Sequence, residues 1–272
     1  MNMISVITVN YNNDNGLKKT IESVINQTYK NFEFIIIDGG STDQSSEIIK
    51  NYQDKINYWV SEPDKGVYSA MNKGIKVANG DFLIFMNSGD VFINENVLQN
   101  VVPKFDTNAY FIYGNNFKSK GDSKRLKTYP KELSFSFFYG SSLNHQATFI
   151  NKKAFIDLFL YDENKKIVAD WELFIVGICK ENLSYQYINE TICNYDFTGM
   201  SSTGKYKEVT EKERQEVMNK YFPLFAKDYE KLSLLNSKRF IQILHIQNHP
   251  AAWKFFKWTI SLFLLFTSKM KK

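Results

Sequence analysis

Cysteine is all but missing from this chain. Cys179 and Cys193 are the only two in 272 residues, in no C-x-x-C pattern, so neither a disulfide framework nor a thiolate zinc site is indicated. A surplus of charge of one sign is missing too: 34 basic residues stand against 29 acidic ones, interspersed through most of the chain. A nucleic-acid binder concentrates its basic residues in a patch or stripe, so no nucleic-acid partner is expected. No G-x-x-x-x-G-K-[ST] occurs, and the first strand-like run leads into NYNNDNG in place of G-x-G-x-x-G. P-loop and dinucleotide chemistries are therefore set aside. The opening MNMISVITVNYNN has neither the basic flank nor the long apolar core of a signal peptide, and a cytoplasmic protein is expected. Repeats and low-complexity linkers are lacking as well, which predicts one domain with a C-terminal extension.

The composition is globular, 43% hydrophobic and 16% aromatic, ample for a packed core. Ser5 to Val9 is a charge-free, β-branched run with the look of a buried parallel strand. Leu17, Ile21, Val24 and Ile25 then recur at helical spacing, with Asn13 or Asp14 available as a cap. Phe32 to Ile37 is again strand-like, a helix follows over Asp43 to Tyr52, and a third strand is expected over Ile56 to Val60. The turn Ser61 to Gly66, a helix over Tyr68 to Ala78 and a strand over Phe82 to Met86 complete the alternation. This order predicts an α/β fold: a mostly parallel central sheet flanked by helices, with right-handed crossovers. Ligands of such sheets sit beyond the carboxyl ends of the strands, where the polar clusters after Val9, Ile37 and Met86 would gather.

The second half is less regular. Strands are expected at Tyr110 to Tyr113, Thr148 to Ile150 and Tyr185 to Ile188, a buried helix over Val168 to Cys179, and a polar surface helix over Glu208 to Tyr221. The domain is expected to fill residues 1–222, with a helical extension over 223–272. Within that extension Ala251 to Thr267 is apolar except for Lys254 and Lys257, and Lys269, Lys271 and Lys272 follow. Its length is the minimum of about 17 residues for a membrane span. A helix lying in the interface, with Trp253 and Trp258 at headgroup depth and lysines toward anionic lipid, fits it better.

Asp38, Asp64 and Asp90 each end a candidate strand or open a loop. Singly each reads as a turn residue or cap. Gathered on one edge, they suit a divalent cation, Mg2+ or Mn2+, bridging to phosphate, because these ions use few protein carboxylates and leave room for phosphate oxygens.

Two stretches, VITVNYNNDNGLKKTIESVINQTYKNFEFIIIDGGSTDQSSEII and SEPDKGVYSAMNKGIKVANGDFLIFMNSGD, carry several motifs in fixed order. They resemble the opening of the family 2 glycosyltransferases, nucleotide-sugar-dependent inverting enzymes of the Rossmann-like GT-A fold, and in EPDKG and NSGD the group from polysaccharide and lipopolysaccharide gene clusters. NHQATF and VADWELF resemble that group's acceptor-side motifs, and FTGMSS its Gly-Gly-Ile-Ser segment. The resemblance implies a nucleotide-sugar half over 1–95 and an acceptor half over 96–222. Thr8, Asn10 and Tyr11 would line the nucleotide pocket, and Asp38 would accept from the base, expected to be uracil. Asp64 and Lys65 would lie near ribose or diphosphate and Asn72 near the donor sugar. An Arg common before that Asn in relatives is Met71 here, with Lys65 or Lys73 as substitutes.

The family's metal motif, Asp-x-Asp, falls on FMNSGDVF. Asn87 stands where the first Asp is common and Gly89 where the second often falls, so Asp90 is the one carboxylate left for metal; Asn87 and Ser88 are expected beside the nucleotide-sugar. The implied reaction is a single displacement in which an acceptor hydroxyl attacks the anomeric carbon. Asp170 would be the base, with Glu172 as its competitor, and His145 and Trp171 would lie on the acceptor side. Phe135 to Tyr139 reads as core. The implied partners are a UDP-sugar, a glycan or lipid-linked acceptor, and the cytoplasmic surface of the inner membrane through the tail. The competing reading is a non-catalytic nucleotide-sugar binding or scaffolding subunit.

Overall fold

The first strand, β1 (Ile4–Asn10), is buried at all of its positions and fixes the rest of the sheet. It pairs in parallel with β2 (Phe32–Asp38) on one side and β4 (Phe82–Phe85) on the other, and β3 (Tyr58–Ser61) extends the sheet beyond β2. Alternation along the strands sends Val6, Phe34 and Ile84 to one face, where they join Leu17, Ile21 and Val24 of helix α1 (Asp14–Ile25) in a common core. The other face carries Ile7 and Ile37 against helix α3 (Val67–Val77), whose Gly74 lies so near the sheet that a Cβ there would be 2.6 Å from Ile7 Cγ2. With helices on both faces, every position of β1 must be apolar or internally bonded, hence its unbroken run. Helix α2 (Ser45–Asn51) joins β2 to β3. These elements come from a computed structural model, which describes residues 2–121, 123–196, 206–235 and 237–266.

The parallel run ends at β4. There the sheet turns mixed: β8 (Thr148–Asn151) runs antiparallel to β4, and β6 (Phe111–Lys120) antiparallel to β8. Next, β9 (Tyr185–Asp196) runs parallel to β6, and the two-residue β5 (Val91–Phe92) closes the edge antiparallel to β9. Hairpin strand β7 (Ser123–Lys127) leaves the path to pair with β6. Strands β6 and β9 run well past their expected ends, because register shifts at Tyr113, Asn115 and Asn116 carry the pairing through a polar stretch. Short helices α4 (Val97–Val101), α5 (Phe135–Gly140) and α6 (Lys153–Asp157) fill the connections. Helix α7 (Ala169–Ile175) continues into a π-helical turn over Val176–Lys180.

The chain divides into two compact units, residues 1–215 and 216–272. Helix α8 (Lys207–Tyr221) crosses the division, and α9 (Pro223–Leu235), α10 (Lys238–Gln247) and α11 (Pro250–Leu264) belong to the second unit. Ser237 caps α10 by accepting from Phe240 N at 3.2 Å, and Pro250 opens α11. Phe255, Trp258 and Phe263 are exposed on α11. Among the described residues no helix is long and apolar enough to cross a membrane. The FTGMSS segment and the lysines that end the tail lie outside the described residues.

A buried polar knot locks the amino end of β1. Glu33 accepts from Ser5 Oγ at 2.6 Å, from Gly80 N at 3.1 Å and from the backbone N–H of Asn79. Gly80 has no space for a side chain, since a Cβ would stand 2.6 Å from Ser5 N. Gly80→Ala should therefore push β1 and β4 apart and lower unfolding free energy by about 1–3 kcal/mol, as overpacking of a rigid backbone contact does. Urea denaturation checks this; an unchanged midpoint would show that the contact can relax.

Candidate active site

The site begins with Asp38 at the carboxyl end of β2. Its carboxylate is 0% exposed and takes four donors: Asn10 Nδ2 (2.7 Å), Ser41 Oγ (2.6 Å), Ser41 N (2.9 Å) and Ser61 Oγ (2.6 Å). Burial alone would raise its pKa; the hydrogen bonds from Ser41, Ser61 and Asn10 outweigh burial and hold it below the ordinary value. Asn10 in turn accepts from Ser88 Oγ at 2.7 Å, so one chain of bonds joins the ends of β2, β1 and β4. The base contact expected of Asp38 is not available in this arrangement, because each oxygen already has two donors.

After β4 the backbone stays pinned to β1, with Met86 N donating to Ile7 O and Ser88 N to Val9 O. Gly89 then takes φ +105°, a left-handed conformation suited to glycine, and a Cβ there would meet Asp196 Oδ2 at 3.0 Å. Thr20 of α1 accepts from Gly89 N at 3.0 Å and donates to Asp90 O at 2.8 Å, fixing the turn from beneath. Asp90 is thereby aimed inward, 3% exposed, with Asp196 N on Oδ1 and Gln146 Nε2 on Oδ2, both at 2.9 Å. Burial pushes its pKa up to about 7, against the pull of those two bonds and of His145, while the Asp196 carboxylate adds to the rise.

Asp170 has the opposite balance. Tyr68 Oη (3.0 Å) and Trp171 N (2.9 Å) donate to Oδ1, and His145 Nδ1 lies 2.8 Å from Oδ2. Burial raises its pKa, but the His145 contact, then Trp171 N and Tyr68, bring it below the ordinary carboxylate value. The far ring nitrogen of His145 faces Asn87 Nδ2 at 3.3 Å, and Asn87 Oδ1 is buried without a donor.

A cavity of about 200 Å³ brings Asn87, Ser88, Asp90, His145 and Asp170 together. Ser88 and Asn87 also line a larger cleft of about 630 Å³, with Asn10, Tyr11 and Asp64. Gly39 makes room there, since a Cβ would stand 2.7 Å from Asp64 Oδ2. Tyr11 is 68% exposed, its ring open to the cleft. Other expected residues lie elsewhere. Thr8 is buried and donates to Met86 O at 2.7 Å; Lys65 is exposed and lines neither cavity. Asn72 is a buried clamp, accepting from Tyr161 N and donating to Tyr161 O and Glu163 Oε1, so it holds a loop. Lys73, offered as a phosphate contact, pairs with Glu62 at 2.8 Å. Glu172, the competitor of Asp170, is buried with Oε2 3.7 Å from Lys165 Nζ. Trp171 is buried behind Asp170 and donates Nε1 to Phe138 O.

Tyr68, Gln146, Lys166 and Asp196 also line the smaller cavity and escaped the sequence reading. Gln146 had a signal, its place in NHQATF; Tyr68, Lys166 and Asp196 come from three different elements with no motif to join them.

The raised pKa of Asp90 makes a sign-definite prediction. A carboxyl that titrates at about 7 folded and 3.8 unfolded keeps its proton longer in the native state, so it erodes stability as pH rises from 4 to 7, by on the order of 4 kcal/mol in full. Asp90→Asn should become progressively more stable than the parent from pH 4 to pH 8, measured by thermal unfolding in chelator. A pH-independent difference would refute the buried, uncompensated carboxylate.

The description Glycosyl transferase family 2 matches residues 5–161. An uncharacterized glycosyltransferase of Mycobacterium tuberculosis is 31% identical over 205 residues, covering 73% of this chain and 77% of the relative. A PGL/p-HBAD biosynthesis glycosyltransferase of Mycobacterium bovis is 27% identical, covering 76% and 82%. In fold, the chain is similar to S. aureus TarS 1-349 in complex with UDP-GlcNAc, with TM-score 0.62, 20% identity and coverage of 79% of this chain and 66% of that one. It is also similar to the Pyrobaculum calidifontis mannosyltransferase PcManGT in complex with GDP-Man and Mn2+, with TM-score 0.56, 12% identity and coverage of 92% and 85%. The chain spans less than two thirds of the length of the TarS structures, 60% in the complex with UDP. The family match covers more than half of the residues and a relative 31% identical is covered over 77% of its own length, so the chain belongs to glycosyl transferase family 2.

Proposed function

We propose that the chain moves a glycosyl group from a nucleotide-sugar, UDP-linked, to a hydroxyl of a glycan or lipid-linked acceptor, with inversion at the anomeric carbon. The observation that carries this reading is the pair Asp90 and Asp170, two carboxylates facing one cavity with pKa values driven in opposite directions. The larger cleft suits the nucleoside: Tyr11 offers a ring face to a base, and Asp64 an acceptor for a base N–H or ribose hydroxyl. Asp38 holds the wall that these groups stand on.

Asp170 takes the proton. Among the described residues its Oδ2 has one partner, His145 Nδ1, which leaves a lone pair for the acceptor hydroxyl, while Tyr68 and Trp171 N fix Oδ1. The hydroxyl oxygen bonds to the anomeric carbon, the bond to the diphosphate oxygen breaks, and the proton passes to Asp170. His145 positions Asp170 and spreads the charge change.

A divalent cation, Mg2+ or Mn2+, fits the residues present. Among the described residues, Asn87 Oδ1 is a buried acceptor without a donor, and Asp90 is a buried carboxylate with no direct bond to a positive side chain. Among the described residues no group of three or more His, Cys, Asp or Glu gathers to hold a metal. Mg2+ and Mn2+ use few protein ligands and keep water and phosphate oxygens. When bound, the cation would offset charge on the departing diphosphate. The exposed rings of α11, Phe255, Trp258 and Phe263, support contact of the second unit with a membrane surface on the cytoplasmic side.

Asp170→Asn should cut transfer by about 10²–10⁴-fold while UDP still binds. A variant with parental turnover, or a parent that binds UDP yet transfers from no UDP-sugar with either metal, would overturn the reading. Removal of residues 251–272 should abolish cosedimentation with anionic phospholipid vesicles and leave donor hydrolysis intact. Undiminished cosedimentation would remove the tail from membrane contact.

A further inference from the structure

A third cavity, about 260 Å³, shares His145 and Asp170 with the smaller cavity already described. The rest of its lining includes three cations. Lys118 and Lys127 come from the β6–β7 hairpin, and Arg214 from α8. Arg214 stacks 4.7 Å over the Trp171 ring and reaches Tyr139 O and Ser141 O only at 3.4 and 3.5 Å. Its Nε is buried without an acceptor, and so is the Ser142 hydroxyl in the same lining. Among the described residues Asp170 is the one carboxylate in that lining, and it is bonded to His145, Tyr68 and Trp171 N. Burial first, and then the neighbouring cations Lys127 and Arg125, depress the Lys118 pKa.

We propose, on the footing of the transferase reading above, that this cavity binds a phosphate ester carried by the acceptor, so that the acceptor is a phosphorylated glycan or lipid. Three cations from separate elements, Lys118, Lys127 and Arg214, surround a volume fit for a tetrahedral oxyanion. A carboxylate is planar and singly charged and is answered by one guanidinium fork, whereas lysines serve phosphate as point charges. Undersatisfied donors on the wall gain acceptors when the anion arrives. The ester so held lies next to Asp170, and a hydroxyl near it on the same molecule comes within reach of the base.

Inorganic phosphate is the probe, titrated into the full chain already saturated with UDP so that donor-side phosphate contacts are filled. Trp171, beneath Arg214, reports through its fluorescence. A saturable change is expected, weakened about tenfold in Lys118→Gln and in Lys127→Gln with UDP affinity unchanged. Acetate at equal ionic strength should leave the signal flat. Displacement of phosphate by a polyprenyl phosphate in detergent or by a hexose phosphate supports the site and tells lipid from glycan. No saturable response with UDP bound, equal response to acetate, or parental phosphate affinity in both lysine variants overturns the site and leaves the transferase reading standing. Failure to bind UDP at all overturns that reading instead.

Discussion

The carboxylate of Asp38 holds the functional edge of this protein together. It accepts from Asn10, Ser41 and Ser61, residues at or just beyond the ends of β1, β2 and β3, and is wholly buried in doing so. A buried charge is tolerable only when its lone pairs are filled, and here hydroxyl, amide and backbone donors fill them. Asn10 passes the constraint to Ser88, and Ser88 and Asn13 hold the turn that carries Asp90. Loosening that carboxylate would release three strand ends and with them both cavities.

Asp90 and Asp170 are both buried, yet they diverge. Asp170 has three donors including a histidine, so hydrogen bonding prevails over desolvation; Asp90 has two neutral donors and a carboxylate neighbour in Asp196, so desolvation prevails. The first is held toward its ionised form. The second is pushed toward its neutral form, and on the proposed reading a cation would favour its ionised form. The asymmetry arises from counting donors against burial.

Much of this was legible in the sequence. Strands β1 to β4 announce themselves because burial on both faces demands unbroken apolar runs and the turns between them are rich in Gly, Pro and Asp. Asp90 and Asp170 were legible through motif resemblance, and the structure brings both to one cavity. The longer reach of β6 was not, because Asn115 and Asn116 are buried polar residues bonded to Asn189 and Tyr129 across the sheet. Nor were the roles of Asp38 and Asn72, whose partners Ser61 and Tyr161 lie 23 and 89 residues away. A carboxylate or amide reads the same in sequence whether it faces a ligand or clamps a loop; only the filling of its lone pairs by distant donors tells them apart.

His145 and Asp170 line two cavities, and this sharing gives the arrangement a direction. The larger cleft and the small cavity lie along the ends of β1, β2 and β4, while the cationic cavity is built from the β6–β7 hairpin and α8. On the proposed reading, a donor held in the first and an acceptor held in the second both reach Asp170, which lines the small cavity and the cationic one. Displacement with inversion requires that nucleophile and leaving group lie in line across the anomeric carbon. On the proposed reading, the mixed half of the sheet has a chemical purpose: a parallel sheet alone supplies one ligand edge, and the antiparallel additions with their cationic hairpin supply the second face from which the hydroxyl can attack.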